Sequence, residues 1–137
     1  METLNSLIGD ISEIKIDEPP IPNSWFKHII YKTKKGTQKP DLLAMCILLD
    51  ILKEYRDFPK MDSLVIEKFE YGLLQKSYNE YSKIFNHSKK QIRESFSVLE
   101  TLDIVKLEFR NIKIKEGILY NVMFIEPNPK KIKNITY

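Results

Sequence analysis

The chain has 137 residues, of which 42% are hydrophobic and 30% are charged, and its formal net charge is +3. This composition is typical of one globular domain with a sizeable core, and it excludes a disordered or fibrous chain. No apolar run reaches the roughly 18 to 20 residues of a membrane helix, and no secretory signal is visible at the N-terminus. The single cysteine excludes an internal disulfide bond. We therefore expect a cytoplasmic protein with no membrane partner.

The first 20 residues are predicted to lie outside the core of the main domain, which we expect to span residues 21–137. Four apolar residues recur here at helical spacing and predict one apolar face of a short helix: Leu4, Leu7, Ile8 and Ile11. Pro19 and Pro20 then predict a stiff, extended linker. Two interpretations stay open for the segment: a tail or docking helix that packs on its own domain or frays, and a contact with a second copy of the chain.

A basic block precedes the first long helix. Residues 21–40 carry five lysines and no acid, and Lys32–Lys39 is predicted to be a basic loop around Gly36. Pro40 suits the first turn of a helix, because its missing N–H would be unbonded there. The segment Leu42–Tyr55 is apolar nearly all round, which predicts the central helix of a bundle.

Two helix-start motifs lie eleven residues apart. In each, a serine side chain can accept a hydrogen bond from the backbone N–H three residues later, and the Glu or Gln side chain at that later position can accept one from the serine N–H. The pairs are Ser77 with Glu80 and Ser88 with Gln91. This spacing leaves room for a short helix, a tight turn at Asn86-His87, and a second helix from Lys89 to about Leu102. That order predicts a helix-turn-helix.

An alternating ribbon follows. Its first strand places apolar residues at every second position: Val105, Leu107 and Phe109. The apolar phase then shifts to Ile112, which predicts a bulge near Arg110-Asn111. Lys115-Glu116-Gly117 predicts the turn, and Ile118–Ile125 returns as the second strand. Tyr71–Leu74 predicts a further short strand that can join the ribbon. The predicted fold class is α+β, a winged helix-turn-helix with a small helical bundle and a two- to three-stranded antiparallel wing.

The predicted core draws on all of these elements. Its members are Leu43, Cys46, Ile47, Tyr81, Ile92, Phe96, Leu99, Leu107, Phe109 and Phe124. On the second helix, the buried face follows from a spacing of about 100° per residue. The opposite face carries Lys90, Glu94, Ser97 and Thr101, with Arg93 at its edge.

The start of the second helix is the main functional signal. Lys89, Lys90 and Arg93 crowd the positive end of the helix dipole, where an anion is favoured, and a DNA phosphate would fit there. Arg93 can contact guanine, Arg110 can reach a phosphate or the minor groove, and Gln91 can read adenine, although its capping role competes. The alternative is a solvated lysine-rich face. Predicted contacts to double-stranded DNA are Ser88, Lys89, Lys90, Gln91, Arg93, Ser97, Arg110, Lys113 and Lys115, with Lys32, Lys34 and Lys35 as an additional group.

No catalytic, metal-binding or cofactor-binding residue is predicted. His28 and His87 are far apart in sequence, no Cys/His/acid spacing indicates a zinc site, and no glycine-rich phosphate loop is present. The tyrosines lack a neighbouring Arg/His/metal cluster of the kind that a DNA-nicking enzyme needs. We therefore expect a protein that is not an enzyme and that requires no cofactor.

Four runs of the chain carry a family resemblance. They are residues 21–29 (IPNSWFKHI), 39–42 (KPDL), 74–78 (LQKSY) and 121–129 (NVMFIEPNP). These runs resemble the N-terminal winged-helix domains of phage and plasmid replication proteins, in the broad class of DnaD-like replisome organisers. The resemblance covers roughly residues 21–137. It implies a DNA-binding role in replication initiation or its control on a mobile element, with a second copy of the chain or a replication protein as further partners.

A second class of function stays open. The same scaffold serves in adaptors or inhibitors that bind a host protein instead of DNA. Salt-sensitive DNA binding would separate the two classes, because an adaptor has no need of it.

Overall fold

The computed structural model describes residues 2–14, 21–58 and 66–137, which form an α+β fold. The helices are α1 (Glu2–Ser12), α2 (Trp25–His28), α3 (Leu42–Asp57), α4 (Tyr78–Phe85), α5 (Lys89–Thr101) and α6 (Pro129–Thr136), with a 3-10 turn at Ile66–Phe69. The strands are β1 (Ile30–Lys32), β2 (Gln38–Pro40), β3 (Leu74–Gln75), β4 (Val105–Ile114) and β5 (Gly117–Pro127). The predicted linker at Pro19-Pro20 lies outside the described residues. No helix in the described ranges is long and apolar enough to cross a membrane.

Helix α1 belongs to the core, so the prediction that the N-terminal residues lie outside it is wrong. Leu4 and Ile11 are fully buried, and Leu7 is nearly so. They join the same hydrophobic cluster as α3, against which α1 packs. The physical reason is that α3 is apolar on several sides, and α1 covers one of them. The apolar face that we considered for a dimer contact is therefore occupied within the chain.

Helix α3 is the central helix and begins at Leu42, as predicted, but Pro40 does not lie in its first turn. Asp41 is its N-cap, and its Oδ1 accepts from the Ala44 N–H at 2.9 Å. Pro40 ends β2 instead of opening the helix. Ile47 is fully buried as predicted. Leu43 and Cys46 are only half-buried, because the all-round apolar pattern gives α3 more apolar surface than its neighbours cover.

The predicted basic loop is a short hairpin, here called the first hairpin. Strands β1 and β2 pair antiparallel with Tyr31 opposite Lys39 and Lys32 opposite Gln38. Gly36 takes a φ of +83° at the tip, and this backbone conformation favours glycine. Each strand has only three residues, too few to show the apolar alternation that marks a strand in sequence, so the pattern indicated only a loop.

The two helix-start motifs form as predicted. Ser77 Oγ accepts from the Glu80 N–H at 3.1 Å, and Ser88 Oγ accepts from the Gln91 N–H at 3.1 Å. In both boxes the second side chain accepts from the serine N–H in return. Asn86 ends α4 in the left-handed conformation, with a φ of 53°, which allows the tight turn into α5.

The three-stranded sheet has the order β3-β5-β4, and all of its pairs are antiparallel. The predicted bulge is present, since the register shifts between Arg110 and Ile112. The predicted strand at Tyr71–Leu74 lies slightly later, at Leu74–Gln75. The pair β4–β5 is here called the second hairpin, and its tip is the turn at residues 115–116.

Tyr55 ties α3 to this sheet. Its hydroxyl donates to the Ile125 carbonyl at 2.6 Å and accepts from the Leu74 N–H at 3.1 Å, which bridges two neighbouring strands. Burial raises the pKa of the Tyr55 hydroxyl far above its ordinary value. The phenol therefore stays protonated and keeps its donor role.

The core on α4, α5 and the sheet agrees with the sequence pattern except on β4. Fully buried residues include Tyr81, Ile92, Phe96, Leu99 and Phe124. Leu107 is half-buried and Phe109 is 49% exposed, so both predictions of burial are wrong. Phe109 lies just before the bulge, and beyond the bulge it is Ile112 that is buried in the core.

The chain closes with a helix where the sequence indicated only the end of a strand. Asn128 caps α6, and Pro129 occupies the first turn. Ile132 and Ile135 are buried, and Trp25 Nε1 donates to Thr136 Oγ1 at 2.8 Å. Proline stops a strand and also suits the start of a helix, so its presence alone did not distinguish the two outcomes.

Candidate nucleic-acid interface

Helix α5 presents one exposed ridge to solvent, formed by Lys90, Glu94, Ser97 and Thr101. This is the face predicted to lie opposite the core, and the complete burial of Ile92, Phe96 and Leu99 agrees with that register. Lys89 is exposed beside the ridge at the start of the helix. Two lysines thus stand at the end of α5 where the helix dipole is positive and where the first backbone N–H groups have no partner within the helix.

The capping box limits what Gln91 can do. Its Oε1 accepts from the Ser88 N–H at 3.0 Å and lies 3.3 Å from Ser88 Oγ. Reading adenine requires both the amide oxygen and the amide nitrogen of a glutamine. Gln91 and Ser88 are therefore held as structural partners, and Gln91 would have to leave the box to read a base.

Arg93 lies at the side of the ridge and is turned toward α4. Its guanidinium carbon is 5.8 Å from the centre of the Tyr78 ring. The arginine remains exposed. Burial and nearby Glu100 raise the pKa of the Tyr78 hydroxyl, while Arg93 lowers it. Arg93 is thus held in a defined position on the side that faces the second hairpin.

The first hairpin lies along the other side of the ridge. Tyr31 and Lys32 share a shallow hollow with Ser97 and Thr101. Lys34 and Lys35 are exposed near the hairpin tip. Of the additional lysines predicted from the sequence, Lys32 therefore lies next to the exposed face of α5, and this proximity arises from the fold.

The second hairpin carries cations and an unexpected apolar group at its outer end. Lys113 and Lys115 are exposed, as predicted. Ile118, Leu119 and Tyr120 are also exposed on β5, and Tyr120 reaches 69%. We did not single out these apolar residues from the sequence. The available signal was three consecutive apolar residues directly after a glycine turn, which does not fit a half-buried alternating strand.

Arg110, predicted to reach a phosphate or the minor groove, lies in the middle of β4 and not at the tip of the second hairpin. Its guanidinium donates to Glu108 Oε2 at 2.8 Å and lies 4.5 Å from the centre of the Phe124 ring. The bond to Glu108 raises the pKa of the guanidinium. Since successive residues of a strand point to opposite faces, Arg110 points away from the face of Phe109, which lies 6.3 Å from the Tyr78 ring on α4. It is separated from the α5 ridge by the sheet.

A buried ion pair supports the start of α4, and it was not predicted. Lys76 is 4% exposed, and its Nζ lies 2.8 Å from Asp50 Oδ2 and 3.3 Å from Glu54 Oε2. The ammonium also lies 4.9 Å from the centre of the Tyr81 ring. This cluster anchors the chain before α4 to α3, and it thereby fixes the position of the helix pair.

The described residues offer no cluster of three or more His, Cys, Asp or Glu side chains that could hold a metal ion. His28 and His87 are both exposed, and His87 Nδ1 lies 2.7 Å from the Phe85 carbonyl at the end of α4.

Comparison of the chain with protein-family models, with curated proteins and with solved structures finds no match. The interface must therefore be interpreted from its own geometry.

Proposed function

We propose that the chain is a winged helix-turn-helix protein that binds double-stranded DNA. In this proposal α4 and α5 are the helix-turn-helix, α5 enters the major groove, and the second hairpin is the wing. The observation that carries the proposal is the exposed ridge of α5, which begins with two exposed lysines and lies beside the first hairpin. A structural helix gains nothing from cations at its positive end, whereas a phosphate there is stabilised by both the lysines and the free N–H groups.

The expected contacts follow from this geometry. Lys89 and Lys90 face phosphates at the start of α5, and Ser97 and Arg93 border the groove. On one side of α5, Lys32, Lys34 and Lys35 lie along the DNA backbone. On the other side, Lys113 and Lys115 do the same. Arg110 is left out of the contact set because Glu108 and the Phe124 ring hold it on the far face of the sheet.

A role in replication initiation or its control on a mobile element is the setting that we propose for this binding. It rests on the family resemblance of residues 21–29, 39–42, 74–78 and 121–129. The same resemblance suggests a second copy or a replication protein as a further partner.

The test is fluorescence anisotropy of labelled random-sequence and genomic duplexes with the full chain at two salt concentrations. We expect binding that weakens steeply with salt, because displaced counterions dominate the affinity. Lys90→Glu should weaken binding to every duplex, because a phosphate contact carries no base information. Lys130→Glu is the matched control, since Lys130 is an exposed lysine on α6. Absence of salt-sensitive binding by the unaltered chain would overturn the proposal.

A protein-binding adaptor or inhibitor is the second candidate. One observation favours it, namely the exposed apolar residues Ile118, Leu119 and Tyr120 on the second hairpin. Wings that contact only a phosphate backbone do not need such residues. A chain that is folded but binds none of the duplexes would favour this candidate.

A further inference from the structure

A hollow separates the second hairpin from the start of α4. Its volume is about 290 Å³, near the lower end of small-ligand sites, which run from roughly 300 to 1,000 Å³. Three aromatic rings line it, those of Tyr78, Phe109 and Tyr120. Gln75 and Asn121, two residues with amide side chains, are among the other residues that line it. It therefore combines faces for stacking with groups that can both donate and accept hydrogen bonds.

The fold leaves two of these rings exposed to water. Phe109 is 49% exposed at a strand position where the alternating pattern would bury it, and Tyr120 is more exposed still. A phenylalanine in such a position leaves apolar surface in water, which costs about 25 cal/mol for each Å². A ligand that covers both rings would remove that cost.

The innermost ring is held rigidly. The Tyr78 ring packs edge-on against Phe96 with 5.6 Å between ring centres, and Phe96 is fully buried. Arg93 lies over the same Tyr78 ring. The Tyr78 ring thus links the hollow both to the core and to Arg93 at the side of the α5 ridge.

We propose that this hollow binds an unpaired nucleobase of the DNA engaged by α5. The inference rests on the proposed function and adds a preference for DNA that contains an unpaired base. Bases stack well on aromatic side chains, and amide groups can bond the edges that pairing would otherwise occupy. A base within a duplex cannot enter, because its faces and its pairing edge are already in use.

The charges at the hollow favour a neutral base over a phosphate. Glu80 is one of the lining residues, and its Oε1 lies 3.3 Å from the Ser77 backbone nitrogen that donates to it. This carboxylate would repel an anionic group placed deep in the hollow but leaves a neutral ring unaffected. The attached phosphates would remain outside the hollow.

The experiment compares the affinities of the full chain for three labelled duplexes that share one sequence. One duplex is fully paired, one carries a single-adenine bulge, and one carries an abasic bulge with the same backbone charge. We expect the adenine bulge to bind at least several-fold more tightly than the abasic bulge, since one stacked base contributes roughly five-fold to a hundred-fold in affinity. A fluorescent adenine analogue in the bulge should be quenched on binding.

Variants assign this difference to the hollow. Phe109→Ala and Tyr120→Ala should abolish the preference for adenine over the abasic bulge, while binding to the paired duplex stays unchanged. Tyr120→Trp should retain the preference, because indole also stacks. Phe26→Ala is the control, since Phe26 is a partly exposed aromatic residue on α2 that does not line the hollow.

The outcomes separate the two proposals. Equal affinity for the adenine and abasic bulges, with salt-sensitive binding to the paired duplex intact, would overturn the nucleobase site and leave the proposed function standing. A preference that survives both alanine variants would also overturn the site. Absence of binding to all three duplexes would overturn the proposed function, and the nucleobase site with it.

Discussion

The Ser95 hydroxyl on α5 donates to the carboxylate of Asp41, at 3.1 Å from Oδ1 and 3.2 Å from Oδ2. Asp41 is also the N-cap of α3, so one carboxylate both caps the start of the central helix and holds the helix that we place on DNA. Ser95 is buried, and its hydrogen bond therefore orients α5 relative to the core. The position of the ridge depends on this contact as well as on apolar packing.

Asp41→Ala should destabilise the protein by about 2 kcal/mol. The loss of an N-cap costs typically about 1 kcal/mol, and a buried hydroxyl left without its partner costs a further 1 kcal/mol or so. Urea denaturation followed by circular dichroism measures the change. Asp41→Asn is the control, because asparagine keeps both the cap and an acceptor. Equal losses in the two variants would contradict this account.

Lys76→Met should lower the free energy of unfolding by about 3–5 kcal/mol, since it leaves the carboxylates of Asp50 and Glu54 close together without their shared cation. Lys68→Met is the matched control, because Lys68 pairs with the same Glu54 but is partly exposed. Its loss should cost less than about 1 kcal/mol. Equal costs for the two lysines, measured by chemical denaturation, would show that the burial of Lys76 does not matter.

Leu4→Ala and Ile11→Ala should each cost about 2–5 kcal/mol, because both side chains are fully buried in the core. Asn5→Ala, at an exposed position of the same helix, should cost less than about 0.5 kcal/mol. Thermal denaturation of the three variants gives the comparison. If all three unfold like the unaltered chain, α1 does not contribute to the core.

Phe96→Ala should cost about 3–5 kcal/mol, whereas Phe109→Ala should cost less than about 1 kcal/mol. The first ring is fully buried between α4 and α5, and the second is half-exposed on β4. Guanidinium denaturation measured on the two variants separates the two phenylalanines. A large loss for Phe109→Ala would mean that its ring is packed more deeply than the structure shows.

Arg93→Ala should weaken binding to a preferred duplex by roughly 1–3 kcal/mol and relax the preference at one base pair. Its effect should differ from that of Lys90→Glu, which should act on all sequences alike. The preferred duplex is obtained by selection from a random pool with the unaltered chain, and a scrambled duplex serves as the reference. Equal losses on the selected and scrambled duplexes would reassign Arg93 to a phosphate contact.

Local patterns were sufficient to predict much of α4, α5 and the second hairpin. A capping box needs only two residues three positions apart, and the serine pairs at 77 and 88 formed as expected. The bulge at Arg110 followed from a single change in apolar phase. These signals are local because the bonds that they predict join residues close together in the chain.

The remaining features depended on contacts between residues far apart in sequence. The apolar face of α1 indicated that something must cover it, but only the fold decided that α3 does so. No local pattern marked Lys76 as buried, and only the fold placed it between Asp50 and Glu54. Arg110 and Phe109 are neighbours in one strand, yet the fold gave them opposite faces and different partners. The hollow between Tyr78 and Tyr120 likewise exists only because a helix start and a ribbon 42 positions later lie side by side. Periodicity indicates which side of a helix or strand is apolar, and the tertiary structure decides which residues pack against that side.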